Sequence, residues 1–172
     1  IIQIDTDVLE ELAQDMLDIW RAGRQVFICG NGGSAANAMH IANDLFYGVG
    51  KGVSAGLRVH ALPANVSVLT CLANDEGYDQ IYAQQLANLA GQNDLLIVLS
   101  GSGNSANIIA ALNMAKAMEL KSYAILGYDG GKAKNLADRA LHLSVNDMQI
   151  SEDMQTVMGH IIMQWLFLQG KN

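Results

Sequence analysis

The chain has 172 residues, 51% hydrophobic and 16% charged, with a formal net charge of −7. That length and composition predict one globular domain with a large buried core, and no apolar run is long enough to span a membrane. Its 10 Lys and Arg residues are scattered through an acidic protein, which argues against nucleic acid as the main partner.

The opening Ile1-Ile2-Gln3-Ile4-Asp5 lacks the basic start and long apolar run of a signal peptide. It also lacks a starting Met, so further residues are expected upstream. Residues 7–22 read as a helix, with Leu9, Leu12, Met16, Ile19 and Trp20 at helical spacing and Gly23 as its stop. Residues 26–29 read as a short buried strand. Ser34 is placed as the N-cap of a helix running to about Tyr47. A glycine-rich loop over 48–56 leads to a strand at 57–62, closed by Pro63.

Residues 66–73 and 79–90 are predicted helices. Residues 94–99 form a nearly continuous apolar run, as in a strand covered on both faces. A helix over 105–120, a strand at 122–126, a short helix ending at Ala137, a strand at 140–145 and a helix over 152–168 complete the order. Strands alternating with helices predict a three-layer α/β sandwich: a parallel sheet of about five strands, helices on both faces, right-handed crossovers. Cys29 and Cys71 lie in apolar patterns and are expected to be buried reduced thiols, which fits a cytoplasmic protein.

Two strand–loop–helix junctions share a grammar. The first is Gly30-Asn31-Gly32-Gly33-Ser34 and the second Ser100-Gly101-Ser102-Gly103-Asn104-Ser105. Glycines let backbone amides crowd toward a ligand, serines add hydroxyl donors, and the helix N-terminus adds partial positive charge. Such turns also occur for purely structural reasons. No acidic residue follows the first loop where a ribose partner would stand, and the second lacks the Lys of a triphosphate loop. A small sugar phosphate is therefore expected rather than a nucleotide cofactor.

His40 and Asp44 stand four apart on one helix, and Glu152 and His160 eight apart on another, so each pair shares a face. Converging, they would make a zinc-like nitrogen and oxygen set or an acid and a base. The ordinary alternatives are a structural His160, a solvated Asp44 and a Glu152 that complements the helix dipole, with Ser151-Glu152-Asp153 as capping chemistry. Asn74-Asp75-Glu76 reads either as a third wall of the site or as a helix end.

Taken in order, Gly30-Asn31-Gly32-Gly33-Ser34-Ala35, Ala38-Met39-His40, Ala73-Asn74-Asp75, the Ser100–Ser105 loop and Gly127-Tyr128-Asp129-Gly130-Gly131-Lys132 resemble the sugar isomerase (SIS) domain family over residues 7–168. Residues 1–172 are accordingly read as a single SIS domain. The resemblance implies a five-stranded parallel sheet and a homotetramer with sites at subunit interfaces. It implies an aldose–ketose isomerase acting through an enediol, most closely the kind that converts sedoheptulose 7-phosphate to glycero-manno-heptose 7-phosphate. In it Ser100, Ser102 and Ser105 hold the phosphate. Asn31, Gly32, Ser34, Asn74, Asp75 and Glu152 line the sugar. Asp44 and His160 are catalytic, and His40, Asp44, Glu152 and His160 match the residues through which some members bind zinc.

The chain departs from the family pattern at three places. Asp44 stands for Glu, Gly101 for a usual Thr, and Glu152 for a common Gln. The same resemblance leaves two other roles open: a non-catalytic tetramer that binds a replication initiator, and a sugar-phosphate sensor.

Overall fold

Asp5 starts the first helix, its carboxylate accepting the Val8 amide at 3.2 Å. In the computed structural model, which describes residues 4–52 and 54–170, the elements follow as α1 (Thr6–Arg21), β1 (Gln25–Gly30), α2 (Gly33–Asn43), β2 (Arg58–Ala61), α3 (Val66–Asp75), α4 (Ala83–Leu89), β3 (Leu95–Ser100), α5 (Ala106–Ala117), β4 (Lys121–Leu126), α6 (Ala133–Leu136), β5 (Arg139–His142) and α7 (Met148–Gly170). Ile1–Gln3, and Val53 within the predicted glycine-rich loop, lie outside the described residues.

The five strands form one parallel sheet in the order β2-β1-β3-β4-β5. Alternation along each strand divides the core. Val26, Ile28, Leu95, Ile97, Leu99, Tyr123 and Ile125 face α1, α2 and α7. Phe27, Cys29, Leu96, Val98, Ala124 and Leu126 face α4, α5 and α6. Strands buried on both faces explain why 94–99 reads as an unbroken apolar run.

Several boundaries differ from the sequence reading, each for a local reason. α5 stops at Ala117 because Glu119 takes φ 58° and Leu120 bonds back to the Ala115 carbonyl at 2.9 Å. The 79–90 segment divides into a 3₁₀ turn, Tyr78–Gln80, and α4. β5 ends at His142, where the chain turns through a Val145-to-Leu143 bond of 2.8 Å. α7 begins four residues ahead of Glu152, because Asp147 caps it by accepting the Ile150 amide at 2.9 Å. Ser151-Glu152-Asp153 is therefore not a cap. Cys29 is buried, which pushes its thiol pKa up, but Cys71 is exposed on α3, against the expectation of two buried thiols. No described helix is long and apolar enough to cross a membrane.

Candidate active site

β1 and β3 are neighbours, and the chain leaves them toward opposite edges of the sheet: β2 lies beyond β1, and β4 beyond β3. A crevice opens at such a reversal, at the carboxyl ends of the strands. Both glycine- and serine-bearing loops leave the sheet there, the first after Gly30 and the second after Ser100.

The first loop is closed by internal partners. Gly32, at φ 57°, caps α2 without a side chain, so the Ser34 amide is left to an outside acceptor. Glu152 of α7 supplies it, Oε1 accepting that amide at 3.1 Å. Ser34 is thus inside the first turn and not the N-cap, and its hydroxyl accepts from Gln155 Nε2 at 3.1 Å. A Cβ at Gly33 would fall on the Glu152 carboxylate, and one at Gly30 would meet the Ser34 carbonyl oxygen at 2.7 Å. Asn31 trades amide bonds with Asn107, the fully buried second residue of α5, each 2.8 Å long. The Tyr78 hydroxyl adds a bond of 3.1 Å to Asn31, and the Tyr82 hydroxyl donates to the Gly30 carbonyl.

The second loop folds on itself and on the loop after β4. Ser100 Oγ accepts the Gly103 amide at 3.0 Å. Ser102 Oγ accepts the Asn104 amide at 3.3 Å. Asn104 Oδ1 accepts the Lys132 amide at 3.1 Å, and the Gly103 carbonyl accepts the Ala133 amide at 2.9 Å. Gly103 has φ 64°, and a Cβ there would strike the Gly130 carbonyl. Ser102 and Ser105 stay half-buried, and Ser105 opens α5 with no bond from its side chain. The space where a side chain at 101 would sit is filled by Met148 Sδ, the far part of a flexible side chain.

The third part joins α2 and α7. His40 Nε2 and His160 Nε2 lie 2.9 Å apart. Asp44 Oδ2 is 3.6 Å from the first and 3.4 Å from the second. Gly159 permits this approach: a Cβ there would meet Ile41 Cγ1 at 2.6 Å, so the two helices close on a bare backbone. At Asp44 the helix widens into a π-helical turn, Asp44–Gly48, a feature frequent at functional sites. One ligand atom from each of His40, Asp44 and His160 lies within 4.8 Å of the others. Tetrahedral ligands at zinc distances stand about 3.3 Å apart, so this set of two nitrogens and one oxygen fits such an ion with small side-chain movements.

Glu152 is outside that cluster, since its carboxylate meets α2 at Ser34. Asn74 and Asp75 lie exposed at the end of α3, where Asn74 Nδ2 bonds Asp75 Oδ1 at 2.7 Å and Cys71 Sγ bonds Asp75 Oδ2 at 3.5 Å. Among the described residues, neither is hydrogen-bonded to either loop. Asn37, Asn107 and Gln155 escaped the sequence reading. Asn37 donates to the Glu152 carbonyl at 2.8 Å and to Gln155 Oε1 at 3.0 Å. Their one signal was an amide side chain on an otherwise apolar helix face.

Residues 1–127 match the SIS domain family. A phosphoheptose isomerase of Helicobacter pylori (strain ATCC 700392 / 26695) is 42% identical over 138 residues, 80% of this chain and 71% of that protein. A phosphoheptose isomerase of Aliarcobacter butzleri (strain RM4018) is 38% identical over 164 residues, 95% of this chain and 86% of that one. The structure of a phosphoheptose isomerase from Francisella tularensis superposes with a TM-score of 0.89 at 27% identity, over 94% of this chain and 86% of that chain.

Proposed function

The chain belongs to the SIS domain family, and from that premise we propose that it isomerises sedoheptulose 7-phosphate to glycero-manno-heptose 7-phosphate through an enediol. The observation that carries the reading is the convergence of His40, Asp44 and His160 on one point between α2 and α7. The isomerase names of its relatives favour an enzyme over an initiator-binding tetramer or a sugar sensor.

The C–H beside a ketose carbonyl is acidic. Asp44 takes that proton, and His160 carries a proton between the two oxygens, leaving the enediol. Return of a proton to the neighbouring carbon gives the aldose. Ser100, Ser102 and Ser105 with the opening amides of α5 hold the phosphate, and Asn31, Gly32, Ser34, Asn74, Asp75 and Glu152 line the sugar. Anchoring a distant phosphate fixes the reacting carbon and needs no chemistry from the serines. In the alternative use of the same side chains, His40, Asp44 and His160 would hold zinc, which would polarise the substrate carbonyl.

The reading extends to a cytoplasmic homotetramer built from one SIS domain per chain. It is supported by Ile150, Val157, Ile161 and Leu168, which are exposed on α7 at intervals of seven, four and seven residues. That spacing makes one apolar stripe beside His160. The test is incubation with sedoheptulose 7-phosphate, with and without zinc, followed by NMR for the aldoheptose phosphate. Turnover in the wild type, lost about 10²–10⁴-fold in Asp44→Asn and in His160→Ala, is expected. A folded protein that leaves the ketose unchanged in both conditions overturns the reading.

A further inference from the structure

The two loops at the strand ends are alike in sequence and opposite in electrostatic state. At the second loop no described carboxylate meets the serines or the first turn of α5. The nearby Asp129 is engaged with the Gly131 amide at 3.0 Å, in the neighbouring loop. At the first loop a carboxylate is already in place. Glu152 Oε1 takes the Ser34 amide at 3.1 Å, where the positive end of α2 would draw any anion.

The backbone that carries this carboxylate and the helix start it meets are tied together. Asn37 Nδ2 grips the Glu152 backbone carbonyl at 2.8 Å, and Gln155 Nε2 takes the Ser34 hydroxyl at 3.1 Å. Gly33 clears the space the carboxylate fills. A second anion brought to α2 would stand within a few ångströms of a fixed negative charge, at a cost of about tenfold or more in affinity. A neutral hydroxyl meets no such barrier and can donate to the free oxygen of Glu152.

We propose that Glu152 is a specificity-determining residue that occupies the anion position of the first loop. The site then admits sugars with one phosphate, bound at the second loop, and rejects those with a second anionic group at the other end, such as sugar bisphosphates. The assignment of the reacting end rests on the isomerase reading above. The placement of anions does not.

Glu152→Gln keeps an acceptor for the Ser34 amide and removes the charge. Amide NMR with inorganic phosphate is expected to shift residues 102–106 of the wild type and leave Ser34 unmoved. In Glu152→Gln the Ser34 amide should respond as well. By calorimetry the wild type should bind sedoheptulose 7-phosphate at least about tenfold more tightly than the 1,7-bisphosphate, and the variant should lose about tenfold of that preference. A Ser34 amide that follows phosphate in the wild type with the same midpoint as the second loop overturns the proposal, whatever the variant does. So does an unchanged preference in Glu152→Gln. A protein that sorts anions this way but does not isomerise the ketose overturns the isomerase reading and leaves the role of Glu152 standing.

Discussion

Asn31 and Asn107 face each other head to tail across the crevice, each amide donating to the other at 2.8 Å. Asn31 belongs to the first loop and Asn107 to the helix that the second loop opens. The pair therefore sets the separation between the two loops. Replacing Asn107 with Leu leaves the Asn31 amide without its main partner, which costs about 1–3 kcal/mol of stability. Misplacement on the ångström scale lowers kcat/KM by about 10²-fold. Urea unfolding together with steady-state kinetics checks both. Full activity in the variant would show that the loops keep their spacing without the pair.

Gly159 admits Ile41 to its bare backbone, and Gly159→Ala places a methyl group 2.6 Å from Ile41 Cγ1. Overpacking of this kind costs about 1–3 kcal/mol. It also pushes α7 off α2 and separates His160 from His40. Lowered thermal stability and weakened zinc binding, measured by calorimetry, are expected together. A drop in stability with unchanged zinc affinity would mean that the cluster absorbs the shift.

Gly101→Thr would drive a side chain into the space that Met148 Sδ fills. The single substitution is expected to lower stability by about 1–3 kcal/mol. Met148→Ala in the same chain should restore most of the loss, giving a coupling well above the few tenths of a kcal/mol of independent sites. Additive effects in the double-mutant cycle would place the two residues out of contact.

At alkaline pH one weak point, besides the buried Cys29 and Tyr82, lies at the opposite end of the sheet. The Tyr123 hydroxyl donates to Asp15, and Lys121 Nζ lies 2.6 Å from Asp15 and 3.0 Å from Glu11. Burial, then the bond to Asp15, pushes the Tyr123 pKa above its ordinary 10.0. Burial pulls the Lys121 pKa down, but Asp15 and Glu11 outweigh it and raise it above 10.5. Both groups hold their proton more tightly folded than unfolded. Their contribution is therefore complete below the unfolded values and is lost as pH rises through the folded ones. Urea midpoints should begin to fall at about pH 9, where the buried Cys29 starts to count, and fall further above about pH 10, with a shallower fall in Tyr123→Phe. An equal slope in that variant would assign the loss to other groups.

The layer order and both loops were legible because each rests on local rules: alternation in strands, helical spacing, and glycine followed by serine at a strand end. What escaped was chemistry carried across long sequence separations. Ser34 has the composition of a cap, yet Gly32 takes that position and a carboxylate 118 residues away completes it. Ser151 and Glu152 likewise look like a helix start, but Asp147 had already begun α7. Asn107 and Gln155 are buried amides whose partners lie 76 and 121 residues distant, and no spacing rule reaches that far. The likeness of the two loops was legible, but their unequal occupation was not, because it depends on where α7 docks.

A single helix thus carries several duties that the sequence scatters. From one face α7 offers the capping carboxylate, the amide on Ser34, the bare backbone at Gly159 and the imidazole of His160. Undocking it would expose the start of α2, part His40 and Asp44 from His160, and uncover the sheet face that Met158, Ile162 and Leu166 help to bury. Site and core are therefore lost together, and amide exchange in β3 should quicken in any molecule whose α7 has left its seat.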